Sequence, residues 1–577
     1  MTGVSQSGQA EVRKAVPMPP SAPTPPVLVL GPLLRHVDQV SATVWVEVDR
    51  ACEVEVLGRR APTFCVSGHH YALVVVEDLE PGTATPYEVR LDGVPIWPIP
   101  GSSLPASRIR TPGRPGAFTI AFGSCRYATN ATADASDGIP PDALQAYAER
   151  VSGQPERDWP DALVLLGDQV YADELTPVTR TWLARRRGRD VEPDAQVLDF
   201  EEYTRLYRES WTEPQVRWLL STVPSSMIFD DHEMIDDWNT SGAWRREVTA
   251  QPWWSGRIGA GLASYWVYQH LGNLSPQDLA ENTTWQAVLT LPDEPGAPRD
   301  AGPLLRNMAE RADTQPATTR WSYVRHWGGA RMVMVDSRAG RVLTESGRRM
   351  LDDKEFAWVE GELHRAVQEG VDHLIVGTSL PWLLPHAIHS LERWNETLNL
   401  RHAGHWGGRL AEKVRQAADL EHWAAFGNSF ERLGRALVTL AGGEHGPAPS
   451  TALVLSGDVH HAYAAEVIRP SPLAARIHQL TVSPLHNRAP HPIRIGFRIG
   501  WSRWAQTFTS ILARTARAEP SPLEWEKRAG PFFGNQIGEL VLTGRQARFV
   551  LSVTDLGQPG LEQVLDMPLS VPERVES

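Results

Sequence analysis

Cysteine is almost missing from this chain: Cys52, Cys65 and Cys125 are the only three in 577 residues. That number cannot make a disulfide framework at this size, although it leaves room for one bridge, and it leans toward a reducing compartment. Lysine is nearly as scarce, since 52 of the 56 basic residues are arginine, and the net charge is −13. An acidic surface of this kind argues against an extended nucleic-acid interface, while a local arginine cluster can still grip a single phosphate. No apolar run approaches the roughly 18 residues that cross a bilayer. The N-terminus has neither an Arg-Arg pair nor the apolar core, roughly 7–15 residues long, of an export signal. Its proline-rich stretch through Pro26 reads residues 1–26 as a disordered, extended leader. Cytoplasmic residence is therefore expected, and an extracellular one only if the true start lies upstream. With 42% hydrophobic and 22% charged residues, wholesale disorder and fibrous architecture are excluded. The length allows two or three domains of roughly 100–200 residues each.

Two grammars divide what remains. From Val27 to about Thr111 the pattern is strand-like and rich in turns, with Ser41-Ala-Thr-Val-Trp-Val-Glu-Val48 alternating at period two. Short strands with frequent turns predict a small all-β sandwich over 27–112, and Pro112-Gly-Arg-Pro-Gly116 a hinge. Over 117–570, short continuous apolar runs alternate with long helical stretches, the α/β pattern of strands buried on both faces. Helix is expected at 352–368, where Phe356, Val359, Leu363 and Val367 share one face, and over much of 179–218, 253–271 and 391–440. A hairpin turning at Gly544 is expected near the C-terminus.

Five apolar runs end in chemically capable clusters. Phe118–Phe122 runs into Gly123-Ser-Cys125, and Ala162–Leu166 into Gly167-Asp168. Ser226–Phe229 leads to Asp230-Asp-His-Glu233, Arg331–Val335 to Asp336-Ser-Arg338, and Ala452–Ser456 to Gly457-Asp-Val-His-His461. Because α/β sheets bind ligands beyond the carboxyl ends of their strands, these clusters are expected to meet along one edge. One strand ending in Gly-Asp carries little, since an aspartate there often orders a turn. Recurrence carries more. Asp168, Asp230 or Asp231, His232, Asp458 and His460 supply the oxygen and nitrogen donors of a two-metal site, and so many carboxylates buried together require a cation.

In this order, Gly-Asp-x-x-Tyr (167–171), Asp-Asp-His-Glu (230–233) and Gly-Asp-Val-His (457–460), after a Ser-Cys strand end, resemble the alkaline phosphatase D (PhoD) branch of the calcineurin-like metallophosphoesterases. The resemblance implies an α/β/β/α sandwich preceded by a small immunoglobulin- or fibronectin-like β-sandwich. It also implies hydrolysis of small phosphate esters by a metal-activated hydroxide. Asp168 resembles the bridging carboxylate of that family, Tyr171 and Cys125 its phenolate and thiolate ligands to iron, and Asp458 and His460 the ligands of its last motif. Fe(3+) with Ca(2+) follows from the resemblance, other divalent metals remaining open; a Cys and Tyr pair also suits ferric iron better than Mg²⁺. His232 matches a histidine beside the leaving group, and Asp231 joins it as a catalytic candidate. Where the family offers an asparagine ligand this chain reads Met234-Ile-Asp-Asp-Trp-Asn239, so Asp236 or Asp237 is expected to replace it. Arg338 and Arg341 are expected either to orient phosphate bidentately or to hold a loop through a salt bridge.

Each residue has an ordinary alternative. Free cysteines are often small buried hydrophobes, Tyr171 could pack beneath its strand, and His461 should point away from His460. Ser124 lacks the Gly-x-Ser-x-Gly elbow of a nucleophile. Two other functions remain in view: a phosphodiesterase for nucleotides, nucleic acid or phospholipid headgroups, and a non-catalytic binding protein acting through its sandwich.

Overall fold

The computed structural model describes residues 25–113, 116–128, 139–188, 191–292, 299–402, 404–471, 473–487, 491–556 and 558–570. The expected leader, but for its last two residues, and positions 114–115 of the expected hinge lie outside them. Two large sheets form the centre. One runs in the order Ser225–Ile228, Ala162–Leu166, Phe118–Gly123, Gln536–Thr543, Gln546–Asp555, Gln558–Pro568, its first three strands parallel. The other runs Tyr323–Trp327, Ala330–Val335, His373–Thr378, Thr451–Ser456, Arg476–Thr481, Ala462–Ile468, Glu524–Phe532. Its four central strands, Ala330–Val335 to Arg476–Thr481, are joined by three parallel pairings, and the pairings at the margins are antiparallel.

Alternation decides which face of the second sheet meets the first. Met332, Met334, Ile375, Leu453 and Leu455 share a core with Ile120, Phe122, Leu163 and Leu165 of the first sheet. Their neighbours Val333, Val335, Leu374, Val376 and Val454 turn the other way and pack beneath the helices Asp353–Gln368 and Gly427–Ala441. On the outer side of the first sheet lies Ala143–Ser152, burying Leu144, Tyr147 and Val151. The result is the expected α/β/β/α sandwich.

Local rules account for the elements. Asp352 caps the helix Asp353–Gln368 by accepting from the N–H groups of Lys354 and Glu355, both at 2.8 Å, and the four predicted apolar residues are buried. The stretch 179–218 divides into Pro177–Arg187, Phe200–Trp211 and Pro214–Thr222; proline opens the first and third helices at N1. Around 253–271 a helix Trp254–Tyr265 passes into a π-helical turn, Trp266–His270. The C-terminal hairpin turns at Gly544, with φ +52°.

The N-terminal strands form the expected small sandwich, with one difference. In Ala42–Val48, Val44, Val46 and Val48 face the sandwich's own core, while Trp45, Tyr71 and Leu73 join the core of the two large sheets. A strand alternating at period two commonly leaves its other face to solvent. The other face is covered instead, by the helices at 200–211 and 254–273, so the polar residues of the pattern are buried as well. Glu47 accepts from Arg208 at 2.6 Å, from Tyr268 at 3.0 Å and lies 3.2 Å from His69. Arg35 crosses the same junction, donating to Gln269 O at 2.7 Å and Asn273 Oδ1 at 3.0 Å.

Candidate metal centre

Three of the five strand ends lie on the first sheet and two on the second, so the clusters meet across the gap between two facing sheets and not along one edge. This corrects the expectation. Buried parallel strands read alike whichever sheet they join, and nothing in their composition separates the two. Where the sheets approach, the glycines of the Gly-Asp pairs are required. A Cβ on Gly167, whose φ is +119°, would stand 2.7 Å from Asp230 Cβ, and one on Gly457 would stand 2.0 Å from Ser124 Oγ. Ser124 Oγ in turn accepts from Asp458 N–H at 3.2 Å, a structural task consistent with its reading as no nucleophile. Left-handed backbone marks the same places: Cys125 (φ 56°), Asp168 (44°), Asp458 (66°) and His460 (49°) all adopt it. Non-glycine residues there cost about 1–3 kcal/mol each and persist where surroundings and function hold them.

The carboxylates converge tightly. One donor atom each of Asp168, Asp231 and His232 lie within 4.8 Å of one another, and so do one each of Asp230, Asp231 and Asp458. Asp231 belongs to both groups. Neither contains Cys125, His460 or Asp236. Burial raises the Asp168 carboxyl well above the usual range, with Asp230 and Asp231 adding to the rise against the charge of His232. Burial likewise raises Asp230 and Asp231, despite the opposing pull of Arg338. Asp458 goes the other way, to about 2: burial is outweighed by the hydrogen bond and charge of His422 and by Arg338. Asp168 Oδ1 and Asp230 Oδ2 are buried with no hydrogen-bond partner among the described residues. Hard oxygen donors left bare beside like charges are what a cation would satisfy, so the residues fit a metal.

Arg338 is fully buried inside this group. It donates through Nε to Asp230 and through Nη1 to Glu421 Oε2 at 2.6 Å, with Nη2 3.4 Å from Asp231 and 3.8 Å from Asp458. Arg341 donates to Ser337 O at 2.8 Å and to Glu421 Oε2 at 3.2 Å. Arg341 aims its donors at protein carboxylates and carbonyls, as Arg338 does through Nε and Nη1, while the buried Arg338 Nη2 has no hydrogen-bond partner among the described residues. Asp336 is a turn-former, accepting from the N–H groups of Arg338, Ala339 and Gly340 at 2.8–3.0 Å.

The remaining predicted residues fall around this group. Tyr171 is buried, its ring 4.6 Å from that of His232, and its OH accepts from Asn487 at 2.9 Å. Cys125 is buried with Sγ 3.7 Å from Asp458 O; burial, then Asp168 and Asp458, push its thiol up. The Asp236 side chain is 72% exposed and stands 3.9 Å from His232 Nε2. Burial and the charge of Glu421 push the Asp237 carboxyl to about 9. Asn239 is occupied elsewhere, donating to Arg338 O and accepting from Arg245, both at 3.2 Å. His461 points away from the group, its ring against Phe497 with 4.1 Å between centroids.

Several residues of consequence escaped the sequence reading. Glu233, fourth in Asp-Asp-His-Glu, accepts from the backbone N–H groups of Asp168, Gln169 and Asp230 and from the Gln269 amide, all at 2.8–3.1 Å. One carboxylate thus ties two strand ends to the π-helical turn. Asp173, two residues past Tyr171, meets His232 Nδ1 at 2.9 Å. Burial opposes protonation of His232, but Asp173 outweighs it and raises the imidazole well above its ordinary value. His422 spans Glu392 at 2.7 Å and Asp458 at 3.0 Å. The adjacency of Glu233 and Asp173 to quoted motifs was an available signal; Glu421 and His422, in a connection between helices, offered none.

A sandwich of two facing sheets with helices outside and a carboxylate-rich centre between the strand ends is the metallophosphoesterase fold. The resemblance to PhoD-like proteins has independent support: residues 135–289 match the family model described as PhoD-like phosphatase. Residues 25–109 match a Domain of unknown function (DUF7800). Among solved structures, one titled as the structure of PhoD aligns over 96% of this chain and 92% of that one, at 13% identity and a TM-score of 0.56. Purple acid phosphatase PPD1 from yellow lupin (Lupinus luteus) seeds aligns over 96% and 76%, at 14% identity and a TM-score of 0.46. At 13% identity the likeness to the PhoD structure is one of fold. No curated protein matches the chain in sequence. Among the described residues, no helix is long and apolar enough to cross a membrane.

Proposed function

We propose that this chain is a metal-dependent phosphoesterase, acting on small phosphate esters through the centre between its sheets. The observation that carries the reading is the set of buried carboxylates, Asp168, Asp230, Asp231 and Asp458, with bare oxygens on Asp168 and Asp230. Asp168, Tyr171 and Cys125 would hold one cation, and Asp231, Asp458 and His460 a second, with Asp236 or Asp237 at its margin. Thiolate and phenolate donors favour iron for the first, and oxygen donors favour calcium for the second. When bound, the cations would supply Lewis acidity and a water acidic enough to act as nucleophile at neutral pH.

The protein's own residues do the rest. His232, kept protonated by Asp173, carries the proton that a departing alkoxide needs, which contributes on the order of 10²–10⁴-fold for poor leaving groups. Arg338 is a fixed positive charge whose attachment to Asp230 and Glu421 prevents it from reorganising during reaction. Glu233 holds the Asp168 and Asp230 turns in register. The sandwich at 27–112 and the unit at 117–570 act together, because the first braces the helices that present Gln269 to Glu233.

The test is metal analysis of protein purified without chelator, paired with rates on p-nitrophenyl phosphate and bis-p-nitrophenyl phosphate. Iron with calcium, and hydrolysis abolished by chelation, is the expected result. Hydrolysis of the monoester over the diester would identify a phosphatase, and the reverse a phosphodiesterase. Protein free of metal that hydrolyses neither ester would overturn the proposal.

A further inference from the structure

The stretch between the strands Ala462–Ile468 and Glu524–Phe532 departs from the rest of the chain in charge. The protein carries 69 acidic residues, yet none falls between Glu466 and Glu519, where eight arginines do. Two helices occupy this stretch, His491–Gly500 and Arg503–Thr515. In the second, Trp504, Phe508 and Ile511 recur at i, i+4 and i+7, the spacing of a single helical face. A helix on a globular surface normally turns such a face inward. Here it points out: Trp504 is 66% exposed, Phe508 64% and Ile511 56%, while Ala505, about a quarter turn away, is buried. Ile495 (55%) and Ile499 (40%) repeat the arrangement on the first helix. Arg498, Arg503, Arg514 and Arg517 are exposed around these apolar residues.

We propose that these two helices are a docking face for an anionic lipid surface. Each component has a counterpart there. Tryptophan, phenylalanine and isoleucine side chains enter the boundary between headgroups and acyl chains, while arginines pair with headgroup phosphates. A nucleic acid would use the arginines but leave the apolar stripe in water. A second copy of the chain would bury the stripe but bring Arg498, Arg503, Arg514 and Arg517 against their equals.

The location adds meaning. Upstream of the first helix, His486 N–H donates to Cys125 O and the Asn487 side chain to Tyr171 OH. Within the helix, the Phe497 ring packs against His461, next to His460, with 4.1 Å between centroids. Docking would therefore bring the metal centre close to the lipid surface. The binding claim itself does not depend on the phosphoesterase reading.

Sedimentation of the full chain with vesicles of phosphatidylcholine alone, or mixed with phosphatidylglycerol, tests the proposal. The expected result is partitioning onto the mixed vesicles, weakened by salt, with a blue shift of tryptophan emission. Trp504→Ser with Phe508→Ser should lower the partition coefficient at least about tenfold. Arg503→Gln with Arg514→Gln should erase the preference for anionic vesicles. Both double variants should leave hydrolysis of p-nitrophenyl phosphate unchanged. No binding to anionic vesicles overturns the proposal. So does self-association in the ultracentrifuge that Trp504→Ser with Phe508→Ser abolishes, which would assign the face to a second copy. Oligonucleotide binding that this double variant leaves intact, with no vesicle binding, would assign the arginines to nucleic acid.

Discussion

Glu47 and Asp168 are both carboxylates sealed inside the protein, and their surroundings are opposites. At the junction between sandwich and catalytic sheets, both oxygens of Glu47 have partners in Arg208, His69 and Tyr268. Between the sheets, Asp168 Oδ1 has none among the described residues, and its nearest charged neighbours include Asp230 and Asp231. Burying a charge is tolerable when the countercharge is built in, and costly when it must be imported. The first cluster is complete as folded. The second has Arg338 and His232 within it and still leaves oxygens of Asp168 and Asp230 bare, and that asymmetry separates a structural buried charge from a functional one.

Replacing Asp168 by Asn should have the largest effect. Hydrolysis is expected to fall by several kcal/mol of transition-state stabilisation, on the order of 10²–10⁴-fold, while the metal-free protein melts at a higher temperature because one like charge is gone. A variant that keeps its rate and melts lower would place Asp168 in the same class as Glu47. Gly457→Ala comes next: with a Cβ 2.0 Å from Ser124 Oγ, the hydroxyl that holds Asp458 must move. We expect a loss of about 2–4 kcal/mol in kcat/KM, read from steady-state rates.

Titration sharpens the comparison further. Burial holds Glu233 at about 7 instead of 4.5, against the hydrogen bonds from Asp230 and Gln169. A carboxyl raised by folding binds its proton more tightly in the folded state, so its penalty is absent below pH 4.5 and grows as pH rises toward 7. Metal-free protein should lose about 1–3 kcal/mol across that window, with Asp168, Asp230 and Asp231 adding to the loss. Urea midpoints at several pH values, with and without added metal, check this. A flat profile in metal-free protein would mean that the cluster is neutralised from within. For the complete cluster, Glu47→Gln should cost about 1–3 kcal/mol in urea unfolding with kcat unchanged. Asp173→Asn should be the mildest, lowering kcat about tenfold and moving the acidic partner in the pH–rate profile downward, because His232 loses the carboxylate that keeps its proton.

What the sequence made legible was local. Gly167-Asp168 and Gly457-Asp458 could be read because a strand, a glycine and an acid within a few residues define a turn with one outward donor. The helix at 353–368 could be read because its cap and its apolar face lie within one stretch. Partnerships between distant segments were not legible. Nothing near Arg338 announces that Glu421, 83 positions on, and Asp230, 108 positions back, will share its guanidinium. Trp45 and Val46 likewise read as one alternating strand, with no sign that each would meet a different core.

The aromatic face of the sandwich has a consequence for synthesis. Trp45 and Tyr71 are made early, but Tyr268, whose ring packs against both and is itself stacked on Tyr207, follows about two hundred residues later. At ribosomal speeds of about 5–20 residues per second, the interval is roughly 10–40 s. During it a nascent sandwich with its valine core already closed would display an uncovered patch of indole and phenol rings. Such a chain gains from a holding chaperone, or a pause in collapse, until the π-helical turn Trp266–His270 has left the tunnel. The same reasoning predicts that a fragment ending near residue 112 would be sticky however well its own strands had paired.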